Sequence, residues 1–154
     1  MIKFILSSLI GLGSTVVYAG VTNSKIVSQA GETMCFDAQG DHKADGDKVF
    51  MYKCHGRENQ RWTVSTDDGG GSAIVGTGGF CLDVRGTHSV KDGTPVQLWK
   101  CHFGGNQRFK IEADGRIKEV ASGKCLMASG EKDGSPIVLD ECNKMKHEKW
   151  SFKN

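Results

Sequence analysis

The stretch "DGTPVQLWKCHFGGNQRF", Asp92 to Phe109, sets out a turn, a short apolar run, a cysteine, a polar loop and an aromatic, in that order. The same order occurs twice more: "ADGDKVFMYKCHGRENQRW" runs from Ala44 to Trp62, and "KDGSPIVLDECNKMKHEKW" from Lys132 to Trp150. Each copy follows a further cysteine, Cys35, Cys81 or Cys125, spaced by 46 and 44 residues. The second cysteines, Cys54, Cys101 and Cys142, trail the first by 19, 20 and 17 residues. Self-similarity at this period marks a repeated structural unit, and a unit this small cannot bury its own apolar face, so three must share one core.

The signals inside each unit are turn and strand. "ADGDK", "KDGTP" and "KDGSP" are turns in which glycine takes φ > 0 and aspartate bonds its own backbone. "VFMYKC", "VQLWKC" and "IVLDEC" are apolar runs of strand length, and "QRWTVS", "QRFKIE" and "EKWSFK" alternate as half-buried strands do. Four short strands per unit make about twelve. The glycine run Gly69 to Gly71 lacks the Lys-Ser/Thr and the strand-to-helix context of a phosphate loop and reads as a linker between units.

The chain has 154 residues, which suits one domain. Its opening, "MIKFILSSLIGLGSTVVYAG", places Lys3 before an apolar run that ends in Val17, Tyr18 and Ala19, the pattern of a secretory signal covering residues 1–19. The competing reading, an uncleaved anchor, suffers from a run too short and too interrupted to span about 30 Å of hydrocarbon. Residues 20–154 then carry 19 basic and 18 acidic side chains, with no basic stripe, which argues against nucleic acid as a partner. Six cysteines in an exported chain read as three disulfides. Sequence alone leaves fifteen pairings open; equivalent units favour Cys35–Cys54, Cys81–Cys101 and Cys125–Cys142. The repeated "KCH" invites a zinc reading with Cys54, His55, Cys101 and His102, but paired spacing in a secreted chain favours bridges, so no metal or other cofactor is expected.

The second unit, with "CLDV", "DGTPVQLWKC" and "GGNQRF", resembles the ricin B-chain type lectins that carry a Gln-x-Trp motif. The resemblance covers residues 27 to 153. It implies an all-β chain, a β-trefoil with pseudo-threefold symmetry and three intra-repeat disulfides, in repeats of about 27–68, 73–115 and 117–153. It also implies up to three shallow sugar pockets. Two departures stand out: Phe109 replaces the motif tryptophan in the second unit, and Glu148 replaces the motif glutamine in the third.

A hexose has hydroxyl edges and an apolar C–H face. An aromatic covers the face, and carboxylate and amide groups bond the hydroxyls in fixed directions. In the second unit the resemblance assigns Asp83 to two hydroxyls, Trp99 to the sugar face and Asn106 to a further hydroxyl, with Gln97 and His102 at the border. Gln107 is assigned to holding Asp83 or the backbone. The first unit keeps Asp37, Tyr52, His55, Asn59 and Gln60 but has Phe50 in place of the border glutamine. The third has Met127, Asp140 and His147 where the aspartate, aromatic and asparagine belong, and is expected to be silent. Trp62, Phe109 and Trp150 are expected in the core.

No nucleophile constellation is present, and Asp37 and Asp83 belong to separate repeats, so an enzyme is not expected. The reading is a secreted, extracellular lectin for galactose or N-acetylgalactosamine-type glycans on glycoproteins or cell surfaces, with no transmembrane segment after cleavage. The alternative is a trefoil interaction or structural protein, such as a toxin's cell-binding subunit or a coat component, with a separate protein partner. A trefoil-type hydrolase inhibitor comes third.

Overall fold

The structure, a computed structural model, describes residues 19–40, 44–86 and 90–154. The signal assigned to residues 1–19 therefore lies almost wholly outside the described residues. Among the described residues twelve strands follow one another: β1 (Val21–Ser28), β2 (Met34–Ala38), β3 (Val49–Lys53), β4 (Trp62–Val64), β5 (Ile74–Val75), β6 (Cys81–Val84), β7 (Thr94–Trp99), β8 (Phe109–Ile111), β9 (Ile117–Glu119), β10 (Cys125–Ala128), β11 (Ile137–Asp140) and β12 (Trp150–Lys153).

Six of them close a barrel. β1 pairs with β4, β4 with β5, β8 with β9 and β12 with β1, all antiparallel. The bridges Ser72↔Phe109 and Arg116↔Lys149 complete the ring. The remaining strands form three hairpins, β2–β3, β6–β7 and β10–β11, which cap one end. This is a β-trefoil, and its three disulfides, Cys35–Cys54, Cys81–Cys101 and Cys125–Cys142, fall one to each unit as equivalence suggested.

The core is built of symmetry triads, which is why the repeat is so regular. Ile26, Ile74 and Ile117 come from the barrel; Phe36, Leu82 and Leu126 from the first hairpin strands; Met51, Leu98 and Leu139 from the second; all are buried. Trp62, Phe109 and Trp150 close the set, as expected of core aromatics. The two indoles also donate from Nε1 to backbone carbonyls, Trp62 to Phe36 at 3.2 Å and Trp150 to Leu126 at 3.0 Å.

The Asp-Gly turns do more than reverse the chain. The N–H of Gly46 donates to Leu98 O, that of Gly93 to Leu139 O and that of Gly134 to Met51 O, each at 2.8 Å. Each hairpin tip thus clasps the next hairpin around the threefold axis. The turns place these glycines at φ of 91°, 86° and 85°, the left-handed region where a Cβ is disfavoured. No heavy atom stands within 4 Å of where a Cβ would project from any of them, so a substitution tests backbone conformation alone. Gly93→Ala is expected to lower stability by about 1–2 kcal/mol, measured by chemical denaturation, with the fold retained.

Candidate functional site

The second hairpin sets the geometry. Across β6 and β7, Cys81 faces Trp99 and Asp83 faces Gln97. Alternation along each strand therefore puts Asp83 and Gln97 side by side, with Trp99 two residues further along. After Cys101 the chain makes a short loop and a 3-10 turn, Gly105–Gln107, that delivers Asn106 and Gln107 to the same carboxylate.

Four side chains converge on Asp83, which is itself buried. Gln97 Nε2 donates to Oδ1 at 3.0 Å, while Asn106 Nδ2 and Gln107 Nε2 donate to Oδ2 at 3.1 and 2.8 Å. His102 Nε2 lies 3.5 Å from Oδ2. Its Nδ1 accepts the N–H of Gly104 at 3.1 Å, which leaves Nε2 as the protonated nitrogen of the neutral ring, facing the carboxylate. Above this group Trp99 is 40 % exposed, an aromatic face left open to solvent.

Gln107 is fully buried and works at both ends. Its Oε1 accepts the successive N–H groups of His102 and Phe103 at 2.8 and 3.1 Å, and its Nε2 also reaches Lys100 O at 3.0 Å. Two consecutive N–H groups can aim at one oxygen only if the backbone curls through the left-handed region. The second residue of the loop does so in every unit: Gly56 at φ 70°, Phe103 at 58° and Lys144 at 63°.

The first unit repeats the arrangement. Asn59 donates to Asp37 Oδ1 at 2.9 Å, Gln60 to Oδ2 at 2.8 Å, and His55 Nε2 stands 3.2 Å from Oδ2. Gln60 is fully buried; its Oε1 accepts from the N–H groups of His55 and Gly56. Tyr52 is 41 % exposed and edges against both Phe50 and His55. Phe50 stands opposite Asp37, the position Gln97 holds opposite Asp83, so this carboxylate has one amide donor fewer. Burial pushes the Asp37 carboxyl above its ordinary value of 3.8, against the lowering influence of Gln60, His55 and Asn59.

The third unit keeps the scaffold and loses the carboxylate. Met127 faces Val138 and Cys125 faces Asp140, so the positions of the aspartate and the aromatic are filled by Met127 and Asp140. The resemblance assigns Asn106 and Gln107, the polar pair before the aromatic, to the pocket. The structure shows an additional duty. Glu148, fully buried, accepts from the N–H groups of Asn143 and Lys144 at 2.8 and 2.9 Å, as Gln107 Oε1 does in its own loop. Asn143 Oδ1 takes the N–H of Met145 at 2.9 Å, the role of the histidine Nδ1 elsewhere. A carboxylate can close the loop once no aspartate lies beside it; a glutamine is required where the same side chain must also donate.

The fold is a β-trefoil, and two of its three units hold a buried carboxylate among amide donors. Residues 70–154 match the ricin-type β-trefoil lectin domain, and residues 16–99 match the ricin-type β-trefoil lectin domain-like family. The chain belongs to the ricin-type β-trefoil lectin family. No curated protein matches it. Among solved structures it is similar to ThreeFoil, a designed threefold-symmetric protein, at 25 % identity and a TM-score of 0.77, covering 85 % of this chain and 97 % of that one. The agglutinin of Rhizoctonia solani shares the fold at 16 % identity and a TM-score of 0.73, covering 96 % and 99 % of the two chains. So does a non-toxic homologue of type II RIPs from Momordica charantia, solved with α-methyl-D-galactoside, at 21 % identity and a TM-score of 0.72; here 88 % of this chain covers 48 % of the other. Among the described residues, no group of three or more His, Cys, Asp and Glu could hold a metal ion, and no helix is long and apolar enough to cross a membrane.

Gln107→Glu tests the double duty of the glutamine. It preserves the loop acceptor but sets a carboxylate against Asp83, and is expected to cost about 1–3 kcal/mol in chemical denaturation. The reverse change in the third unit, Glu148→Gln, meets no aspartate and is expected to be close to neutral.

Proposed function

We propose that this protein is a secreted, extracellular lectin that binds galactose or N-acetylgalactosamine-type glycans on glycoproteins or cell surfaces through the first two units, while the third serves the fold. The observation that carries this reading is the preorganised Asp83 carboxylate beneath an open indole. Fixed amide donors aim it without neutralising it, and among the described residues Oδ1 is bonded to Gln97 alone, which leaves an acceptor position for a sugar hydroxyl. The aromatic supplies the second half of the recognition by covering the C–H face of the ring. The neighbour solved with a galactoside lends support to the sugar class.

In this reading Asp83 and Asp37 accept hydroxyls, Trp99 and Tyr52 stack, and Asn106 and Asn59 border the ligand. Gln97, His102 and His55 orient the carboxylates, and the buried Gln107 and Gln60 act through Asp83 and Asp37 without touching sugar. The first pocket, with Phe50 in place of a glutamine and tyrosine in place of tryptophan, binds more weakly. Two shallow sites facing different directions gain strength together on a glycan-covered surface through effective concentration.

Calorimetry with methyl galactoside tests the assignment. Asp83→Ala is expected to weaken the stronger site about tenfold or more, since a hydrogen bond to a charged group contributes about 1.5–3 kcal/mol. Trp99→Ala should act similarly, and adding Asp37→Ala should abolish the remaining binding. Because protonation disables the acceptor, the first site should fade as pH falls through a value above 3.8. Unchanged glycan binding in the Asp37→Ala, Asp83→Ala chain would overturn the sites; co-purification of a protein partner without any sugar binding would favour the interaction-protein reading.

A further inference from the structure

The second unit differs from its sisters behind the pocket as well as in front of it. In the first unit Gly76 lies against the indole of Trp62, where a Cβ would come within 2.6 Å of the ring. In the third, the small Ser28 faces Trp150 across β1 and β12. In the second unit the aromatic is only Phe109, and its cross-strand partner is Glu119. Bulk has moved from the ring to its neighbour, but the replacement brings an acid into the core.

Glu119 is 1 % exposed. Its Oε2 accepts the N–H of Ser122 at 3.1 Å and the Ser122 hydroxyl, while Oε1 has no partner. The second unit also lacks an indole donor: Trp62 and Trp150 donate from Nε1 to the carbonyls of Phe36 and Leu126, whereas the Phe109 ring has no N–H for Leu82, the equivalent residue. No cation among the described residues pairs with Glu119. Arg108 donates to the carbonyls of Gly70 and Gly71, Lys110 to Asp67, and Lys124 pairs with Asp92 and Glu141; Lys118, on the same strand, makes no ion pair with it. The charge that does act on Glu119 is that of Asp83 in the pocket. The strand's continuation is tied to the turn bearing Asn106 and Gln107, since Ala121 and Val120 donate to Gly105 O and Arg108 O at 3.3 and 2.9 Å.

We propose that Glu119 is a positioning residue of the second pocket that works as the neutral acid. While it is neutral, the strand end that carries Val120 and Ala121 keeps the Asn106–Gln107 turn seated; loss of its proton sets a second negative charge behind Asp83 and loosens that pocket alone. The proposal rests on the lectin reading of Asp83. Burial, with Asp83 adding to it, raises the Glu119 carboxyl above 4.5 despite the bonds from Ser122. The folded state therefore holds this proton more tightly than the unfolded chain. Its stabilisation is complete below 4.5 and is lost as pH rises through the folded value.

The test is calorimetry with methyl galactoside across pH in an Asp37→Ala chain, which leaves the second pocket to report, with and without Glu119→Gln. The parent is expected to lose affinity severalfold as Glu119 ionises, in step with its carboxyl resonance followed by NMR. The Gln variant, always neutral and still a donor, should hold the low-pH affinity throughout. The same alkaline slope in both chains, or titration of Glu119 at 4.5, would overturn the proposal. Should Glu119→Gln fail to fold, Phe109→Trp with Glu119→Gly rebuilds the pair of the first unit and is expected to flatten the profile equally. Thermal unfolding against pH reads the same proton without sugar. A slope there that Glu119→Gln removes, in a chain that binds no galactoside at any pH, would sink the lectin reading and the pocket role while leaving the buried proton in place.

Discussion

A buried amide holds each pocket together. Gln107 closes the loop after Cys101 with its oxygen and grips Asp83 with its nitrogen, and Gln60 does the same for Asp37. Neither half can be exchanged for a carboxylate while an aspartate stands opposite, because the side chain must accept at one end and donate at the other. This constraint links the backbone to the chemistry. The loop that positions the asparagine and the histidine is fixed by the same group that aims the carboxylate. The rigidity a shallow site needs comes from the core side, leaving the outer face open.

The third unit keeps the scaffold without the carboxylate. It keeps its disulfide, its core tryptophan, its Asp-Gly clasp onto Met51 and a buried acceptor for the loop. It has shed the carboxylate, the open aromatic and the donor end of the amide. Symmetry is retained in the barrel and cap and relaxed on the outer face of the hairpins. The second unit relaxes differently: its outer face holds the fuller set of pocket groups, and the irregularity is moved inward, to Phe109 and Glu119.

Much of this could be read from the residues. The cysteine spacing, the Asp-Gly turns and the recurring aromatic gave three units, twelve strands and the bridges, because each is a local signal repeated at a fixed period. The candidate pocket positions came instead from the resemblance of the second unit to the ricin B-chain type lectins, and the fold brings Asp83, Gln97, His102, Asn106 and Gln107 together. Other features stayed hidden because they depend on contacts between units. The Asp-Gly dipeptides read as simple turns, yet their glycine N–H groups clasp a neighbouring hairpin, a contact no single unit encodes. Glu148 read as decay of a motif, since sequence does not show that half of a glutamine's role survives in a carboxylate. Glu119 gave no signal until strand pairing set it against Phe109. The comparison that could have exposed it was between the residues facing the three aromatics, Gly76, Glu119 and Ser28.

The central proposal is that the two carboxylates aimed by buried glutamines, Asp83 and Asp37, make two sugar sites, one for each intact amide–carboxylate pair. The most direct measurement is a crystal structure of the oxidised chain soaked in a galactoside. The account predicts density for a sugar ring against Trp99 with a hydroxyl on Asp83 Oδ1, a second and less occupied ring at Tyr52 and Asp37, and none at Met127 and Asp140. A ring bound in the third unit, or an indole at position 99 left bare while sugar occupies another surface, would contradict it.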